Sequence, residues 1–198
     1  MDKLKKAIEI KEKYLKKIIK YFPGFITPNL LTALRLLLLP LIIILIIYGY
    51  SFFALLVFVF AFSLDLFDGP LARLRNQATD FGALFDPFVD KTVFLTVMFL
   101  VAYQSLPRAM LFTILALEII VVIVAGILAP IAKKIGYQYK IGANKYGKYK
   151  MFFQFIGIAI LMISPANQSL ILAGTIIFTI AILFSALSIV DHCFNIKK

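Results

Sequence analysis

The chain has one cysteine, one histidine and no tryptophan in 198 residues. A lone cysteine (Cys193) excludes a disulfide framework. It adjoins His192 near the end of the last apolar run, where both read as bystanders. No Gly-x4-Gly-Lys run is present, so ATP use is not indicated, and no internal repeat is visible. Charge is also scarce. Charged residues make up 16% of the chain, against roughly 25% in an ordinary globular protein. Apolar residues reach 62% and mean hydropathy is +0.97. A soluble core of this length could not hide so much apolar surface, and the same composition excludes disorder. What remains is an all-α integral membrane protein, read as a single domain.

Acidic residues are outnumbered, 10 to 21, for a net charge of +11. The excess is not spread as on a nucleic-acid-binding surface, and no recognition module of that kind is visible. Eight lysines fall in residues 1–20 and six in 133–150, each group abutting an apolar run. This is the pattern of cytoplasmic flanks. Residues 1–22 lack the uninterrupted apolar core of a signal peptide. At helical spacing Leu4, Ala7, Ile8, Tyr14, Leu15, Ile18, Ile19 and Phe22 share one face, with lysines opposite or beside it and Lys11 interrupting it, its charge snorkelling out. The segment predicts a basic amphipathic helix lying in the membrane surface.

Six spans follow, near 29–49, 52–74, 80–103, 107–131, 147–163 and 168–190, each long enough for a hydrocarbon core of about 30 Å. The six-helix domain is expected over 27–192. Thr27 and Pro28 read as the cap and first residue of the first helix. Gly49-Tyr50-Ser51 and the segment from Ser164 to Asn167 read as turns. Basic residues lie in the first tail, around 73–91, in 133–150 and at the end of the chain, so both termini and the 2–3 and 4–5 loops are expected on the cytoplasmic side of the cell inner or plasma membrane.

Five of the ten acidic residues fall within 65–90, and Asp65, Asp68, Asp86 and Asp90 lie within or at the ends of apolar spans. An aspartate at mid-membrane costs about 2.5–3.5 kcal/mol on insertion scales, and like charges add to it. Arg73 and Lys91 are too few to offset four. A divalent cation is the simplest remaining counter-charge, and oxygen-only ligands select Mg²⁺, Mn²⁺ or Ca²⁺. Asp65 and Asp68 stand at i,i+3, and Asp86 and Asp90 at i,i+4, so each pair shares a helix face. The two helices are joined by a short loop and should be antiparallel neighbours. Gly69 and Gly82 beside the pairs allow close approach of a ligand, and Arg73 offers a planar fork for a phosphate. Cations, carboxylates and an arginine together suggest phosphoryl chemistry. A divalent-cation transporter is the competing class. Its site belongs near mid-membrane, whereas this cluster sits at span ends and includes a glycine and an arginine that an ion path does not need.

The run Asp65-x2-Asp68-Gly69-x2-Ala72-Arg73-x8-Gly82-x3-Asp86-x3-Asp90 resembles the signature of the CDP-alcohol phosphotransferases, with every position filled. Pro28-Asn29-Leu30-Leu31-Thr32 with Arg35 and Pro40, Asp86-Pro87-x2-Asp90-Lys91, and Gly147-Lys148-x-Lys150-x3-Gln154 are similar to the phosphatidylglycerophosphate synthase branch. The resemblance implies six transmembrane helices behind a juxtamembrane amphipathic helix, usually as a homodimer. It implies two divalent cations, Mg²⁺ or Mn²⁺, held by Asp65, Asp68, Asp86 and Asp90, with Asp90 as general base. It also implies that Asp65, Asp68, Gly69, Ala72, Arg73, Gly82 and Asn29 bind CDP. The expected reaction moves the phosphatidyl group of CDP-diacylglycerol to an alcohol and releases CMP.

Glycerol 3-phosphate is the first expectation for the acceptor, and an anion of that kind needs cations nearby. The candidates are Lys148 and Lys150, which open the fifth span, together with Lys133 and Arg35. Most lysines of 133–150 read instead as topology determinants touching anionic lipid. The branch commonly carries Arg-Glu in its fourth span; here the pair is Leu117-Glu118. That departure keeps phosphatidylglycerol, as in cardiolipin synthases of the family, and an inositol phosphate open as acceptors. Glu118, deep in an apolar run, should face the bundle interior and find a partner.

Overall fold

The computed structural model describes residues 19, 21–77, 79–124, 138–139, 145–163, 166–194 and 196–197. Six helices dominate: α1 (Pro28–Ile47), α2 (Ser51–Leu74), α3 (Asp80–Ser105), α4 (Arg108–Ile123), α5 (Lys145–Ile163) and α6 (Gln168–Phe194). Two short strands, β1 (Gln138–Tyr139) and β2 (Ile196–Lys197), pair antiparallel, with Gln138 opposite Lys197 and Tyr139 opposite Ile196. Two residues are too short a run to carry a strand pattern, which is why the sequence reading missed this pair. The amphipathic helix expected over 1–22 lies outside the described residues except for Ile19, Tyr21 and Phe22. The chain divides into two compact units, residues 1–97 and 98–198.

Several helix ends follow directly from local chemistry. Thr27 caps α1, its side chain accepting from the Leu30 amide at 3.2 Å, with Pro28 next as the first helical residue. Gly49 takes φ +79° in the turn between α1 and α2, a conformation that a side chain would strain. Thr79 accepts from the Gly82 amide at 3.0 Å at the start of α3. Asn167 accepts from the Ser169 amide at 2.9 Å and the Leu170 amide at 3.3 Å at the start of α6. The fourth helix starts one residue after Pro107 and its described part ends at Ile123, short of the expected 131.

In the first unit, α1 buries Leu31, Thr32, Arg35, Leu39, Ile42 and Ile46 along one stripe. The facing stripe of α2 buries Ala54, Phe58, Ala61, Leu64, Asp68 and Leu71. Both run at helical spacing, and each contains one charged residue toward the same end of the antiparallel pair. Ile19 and Leu31 pack with Leu64 and Leu71 in an apolar cluster beside those charges. In the second unit, α5 and α6 pack closely, α6 burying Phe178, Ala181, Ser185 and Ser188. Gly157 of α5 makes room for the Phe178 ring, the small-residue approach that membrane helices use.

Three helical segments are long and apolar enough to cross a membrane: Pro28–Ile47, Ser51–Leu74 and Gln168–Asp191. At most a third of each apolar window is buried, so most of that surface faces outward. The other three expected spans do not meet the same measure among the described residues. The charges of α3 (Asp80, Asp86, Asp90, Lys91) and of α5 (Lys145, Lys148, Lys150) dilute their hydropathy, and α4 is described over only 16 residues.

A Cβ at residue 157 would lie 2.7 Å from the Phe178 ring and one at residue 174 would lie 2.6 Å from a Leu161 methyl, both side chains being fully buried, and valine adds two methyl groups more than alanine does. Gly157→Val is therefore expected to destabilise the second unit by about 1–3 kcal/mol and Gly174→Ala by less, as read by thermal unfolding in detergent micelles.

Candidate active site

The end of α2 and the start of α3 bring the signature aspartates together around one cation. Arg35 reaches from the buried stripe of α1, and its guanidinium contacts Asp65 Oδ1 at 2.9 Å and Asp68 Oδ2 at 2.7 Å. It also bonds Asp86 and approaches Asp90 Oδ1 at 4.0 Å. Arg35 is 3% exposed. A buried guanidinium is tolerated only when its fork is answered by carboxylates. The Asp68 Oδ1 atom accepts a further hydrogen bond from the Gly69 amide at 2.6 Å.

One guanidinium offsets one of four carboxylates. Asp65, Asp68 and Asp86 each offer an oxygen, all within 4.8 Å of one another, and an all-oxygen donor set of that compactness suits a hard divalent cation. The residues present therefore fit a metal. Asp90 lies beside this trio rather than within it, on the Arg35 flank next to Phe58, Ala61 and Phe94.

A cavity of about 240 Å³ adjoins the cluster, somewhat below the usual size of ligand cavities, about 300–1,000 Å³. It is lined by Asn29, Asp68, Gly69, Ala72, Arg73 and Gly82, six of the seven residues expected to hold CDP, and by Asp86. Asp65, the seventh, is in the aspartate cluster instead. Gly82 is required sterically: a Cβ there would lie 2.5 Å from Asn29 Oδ1 and 3.0 Å from Thr79 Oγ1. A Cβ on Gly69 would meet nothing closer than Arg73 Nη1 at 3.9 Å, so that face stays open toward the cavity.

The cavity also includes Thr32, quoted above only as part of the Pro28–Thr32 run, and Gln77 and Thr79, which sequence reasoning did not single out. Nor did it assign the central place of Arg35, although a cation on an apolar stripe already implied an anion opposite. Arg75 was missed as well. It donates to the carbonyls of Phe22 at 2.6 Å and Ile26 at 2.8 Å, tying the segment before α1 to the end of α2 while its neighbour Arg73 lines the cavity.

The acceptor candidates differ in setting. Arg35 belongs to the aspartate cluster, Lys148 is exposed on the first turns of α5, and Lys133 lies outside the described residues. Lys150 is 3% exposed and pairs with Glu118 Oε1 at 2.7 Å. Gln154 Nε2 donates to the same oxygen at 2.9 Å. Glu118 thus has the interior partner its position demanded.

Fold and site together define a helical protein with a compact aspartate cluster that could hold a cation, beside a cavity that carries an arginine. The sequence profile described as CDP-alcohol phosphatidyltransferase matches residues 25–187. The chain is 33% identical over 134 residues to the CDP-diacylglycerol--glycerol-3-phosphate 3-phosphatidyltransferase of Escherichia coli (strain K12), covering 65% of this chain and 69% of the relative. The proteins of the same name from Escherichia coli O157:H7 and Salmonella choleraesuis (strain SC-B67) match at 33% and 32% over the same length and shares. The chain belongs to the CDP-alcohol phosphatidyltransferase family and is a membrane enzyme of phospholipid synthesis.

Two stability outcomes follow. Gly82→Ala is expected to cost about 1–3 kcal/mol by displacing Asn29, while Gly69→Ala is neutral or slightly stabilising, since alanine favours a helix; thermal unfolding in micelles separates them. Lys150→Met alone should cost about 3–5 kcal/mol by stranding the buried Glu118, and Glu118→Gln in the same chain should recover much of that loss in denaturant titrations.

Proposed function

We propose that the enzyme transfers the phosphatidyl group of CDP-diacylglycerol to sn-glycerol 3-phosphate and releases CMP, with the six helices acting as one catalytic domain over 27–192. The observation that carries the reading is the convergence of Asp65, Asp68 and Asp86 beside a cavity lined by Gly69, Arg73 and Gly82. The names of the matched relatives support the donor and the acceptor.

Asp65, Asp68, Asp86 and Asp90 would hold two divalent cations, Mg²⁺ or Mn²⁺, whose chemistry when bound is to neutralise the pyrophosphate and the departing CMP. Arg73 and the open face of Gly69 receive the nucleotide phosphates from the cavity side, and Asn29, Ala72 and Gly82 shape the wall against the nucleoside. Asp90 accepts the proton of the acceptor hydroxyl. The oxygen so released forms a bond to the phosphorus bearing diacylglycerol, the pyrophosphate P–O bond breaks, and CMP leaves with that electron pair. Asp90 then returns its proton to water. Positioning supplies most of the acceleration in such transfers, and no covalent enzyme intermediate is required. The acyl chains of the donor stay in the bilayer. The site and both termini lie on the cytoplasmic side, and the enzyme works as a homodimer.

For the acceptor phosphate, Lys148 is the lysine whose exposure suits a soluble anion. Lys150 is engaged by Glu118, and Arg35 by the aspartates.

Purified enzyme is expected to release CMP from CDP-diacylglycerol only with Mg²⁺ or Mn²⁺ and an acceptor present. Asp90→Asn should lower kcat by about 10²–10⁴-fold, the usual weight of a general base; full turnover by that variant would remove Asp90 from the base role. An acceptor panel of glycerol 3-phosphate, an inositol phosphate, phosphatidylglycerol and serine, read by lipid chromatography, tests the acceptor. Product with another alcohol alone would overturn glycerol 3-phosphate and leave the reaction class standing.

A further inference from the structure

The walls of the cavity come from three stretches of chain. Pro28 and Asn29 belong to the first turn of α1, Ala72 and Arg73 to the last turns of α2, and Gly82 to the start of α3. A short loop ties the second stretch to the third. The first is connected to the second only through the whole of α1 and α2, so connectivity does not fix the distance between those two walls.

Apolar packing brings them near each other. Ile19 and Leu31 cluster with Leu64 and Leu71, and Phe22 and Ile26 pack against that cluster. Contact of this kind is non-directional and leaves the segment before α1 free to slide along α2. The directional bonds come from Arg75. Its Nη2 donates to the Phe22 carbonyl at 2.6 Å, and its Nη1 to the carbonyls of Ile26 at 2.8 Å, Pro23 at 3.2 Å and Gly24 at 3.5 Å. Among the described residues no backbone amide reaches the carbonyls of Phe22, Gly24 or Ile26. The guanidinium supplies the donor that they need, and bonds from a charged donor are stronger than neutral ones.

Both ends of this bridge are close to the cavity. The Arg75 amide bonds the Leu71 carbonyl at 3.0 Å, closing α2 two residues beyond Arg73. Ile26 precedes Thr27, the cap of α1, and Pro28 and Asn29 follow at once. Arg75 is not itself among the residues lining the cavity. Its fork links the wall carried by α2 to the wall carried by α1.

We propose that Arg75 is a positioning residue for the donor: by holding the carbonyls of residues 22–26 it sets the separation of the α1 and α2 walls, and with it the fit of the nucleotide end of CDP-diacylglycerol. The inference rests on the donor reading of the cavity given above. Contacts between these walls and the nucleotide persist from the bound state to the transition state. Losing their spacing weakens both states alike, which shows in KM rather than in kcat.

The test is steady-state release of CMP by the full chain in mixed micelles, with Mn²⁺, the acceptor selected by the panel above, and free CDP as inhibitor. Arg75→Gln should raise the KM for CDP-diacylglycerol and the inhibition constant of CDP together, by about tenfold, the weight of one charge-assisted hydrogen bond. Its kcat should stay within about twofold, and its KM for the acceptor should not move. Arg75→Lys keeps the charge but has one nitrogen in place of a fork, so its constants should fall between those of wild type and Arg75→Gln. A purely structural role would lower the thermal midpoint and the active fraction, seen as a lower kcat at unchanged KM, and that result would overturn the proposal. So would a higher KM for the lipid with CDP inhibition unchanged, which would assign Arg75 to seating the chain on the membrane. If Arg75→Gln does not fold, Arg75→Lys decides alone, and wild-type constants in that variant overturn the proposal in either case. A wild-type chain that releases no CMP and does not bind CDP would instead overturn the donor reading of the cavity, and this inference with it.

Discussion

A buried arginine fork set among four aspartates is the constraint around which the first unit is arranged. Arg35 occupies a position on α1 that its neighbours Leu31, Leu39, Ile42 and Ile46 would otherwise make wholly apolar. Asp68 interrupts the facing stripe of α2 in the same way. Neither charge is tolerable in such a setting without the other. The salt bridges from Arg35 to Asp65 and Asp68 therefore set the register of the two helices as well as gathering the carboxylates. Asp86 joins them from α3, and the three negative charges that one guanidinium leaves unanswered give the site its capacity for hard cations.

The second unit solves a similar problem separately. Glu118 and Lys150 sit on buried stripes of α4 and α5 and neutralise each other at 2.7 Å, with Gln154 completing the oxygen's coordination. Both units thus carry polar clusters within apolar helices, but of opposite kinds. The pair in the second unit is balanced in charge and closed to solvent. The cluster in the first is unbalanced and adjoins a cavity. Excess charge beside accessible space is what a ligand-binding site requires, and a balanced, sealed pair serves packing.

Much of the site was legible from spacing alone. The i,i+3 and i,i+4 pairs of aspartates could only lie on helix faces, and the glycines beside them marked places of close approach. Those positions include the three clustered aspartates, and Asp68, Gly69, Gly82 and Asp86 among them line the cavity. The helix start at Thr27 was readable because capping is a local property of a few residues, whereas Asn167 read only as the end of a turn and caps α6 in the structure. Gln77 was not readable. Its place in the cavity wall comes from a left-handed turn at Asn76 that folds the chain back over Ala72, and nothing in the identity of a glutamine in a short polar loop announces that. Arg75 is similar: its four-carbonyl grip on the segment before α1 depends on two stretches fifty residues apart meeting.

Composition and periodicity determined that this chain is helical, belongs in a membrane, and carries an acidic cluster demanding positive charge, because those properties follow from transfer free energies and from the 3.6-residue repeat. Tertiary structure decided which cation answers the cluster within the chain itself, that Lys150 pairs with the buried Glu118, and that Gln77 joins the cavity wall. Each of these depends on distances between segments far apart along the chain, which no local pattern of residues encodes.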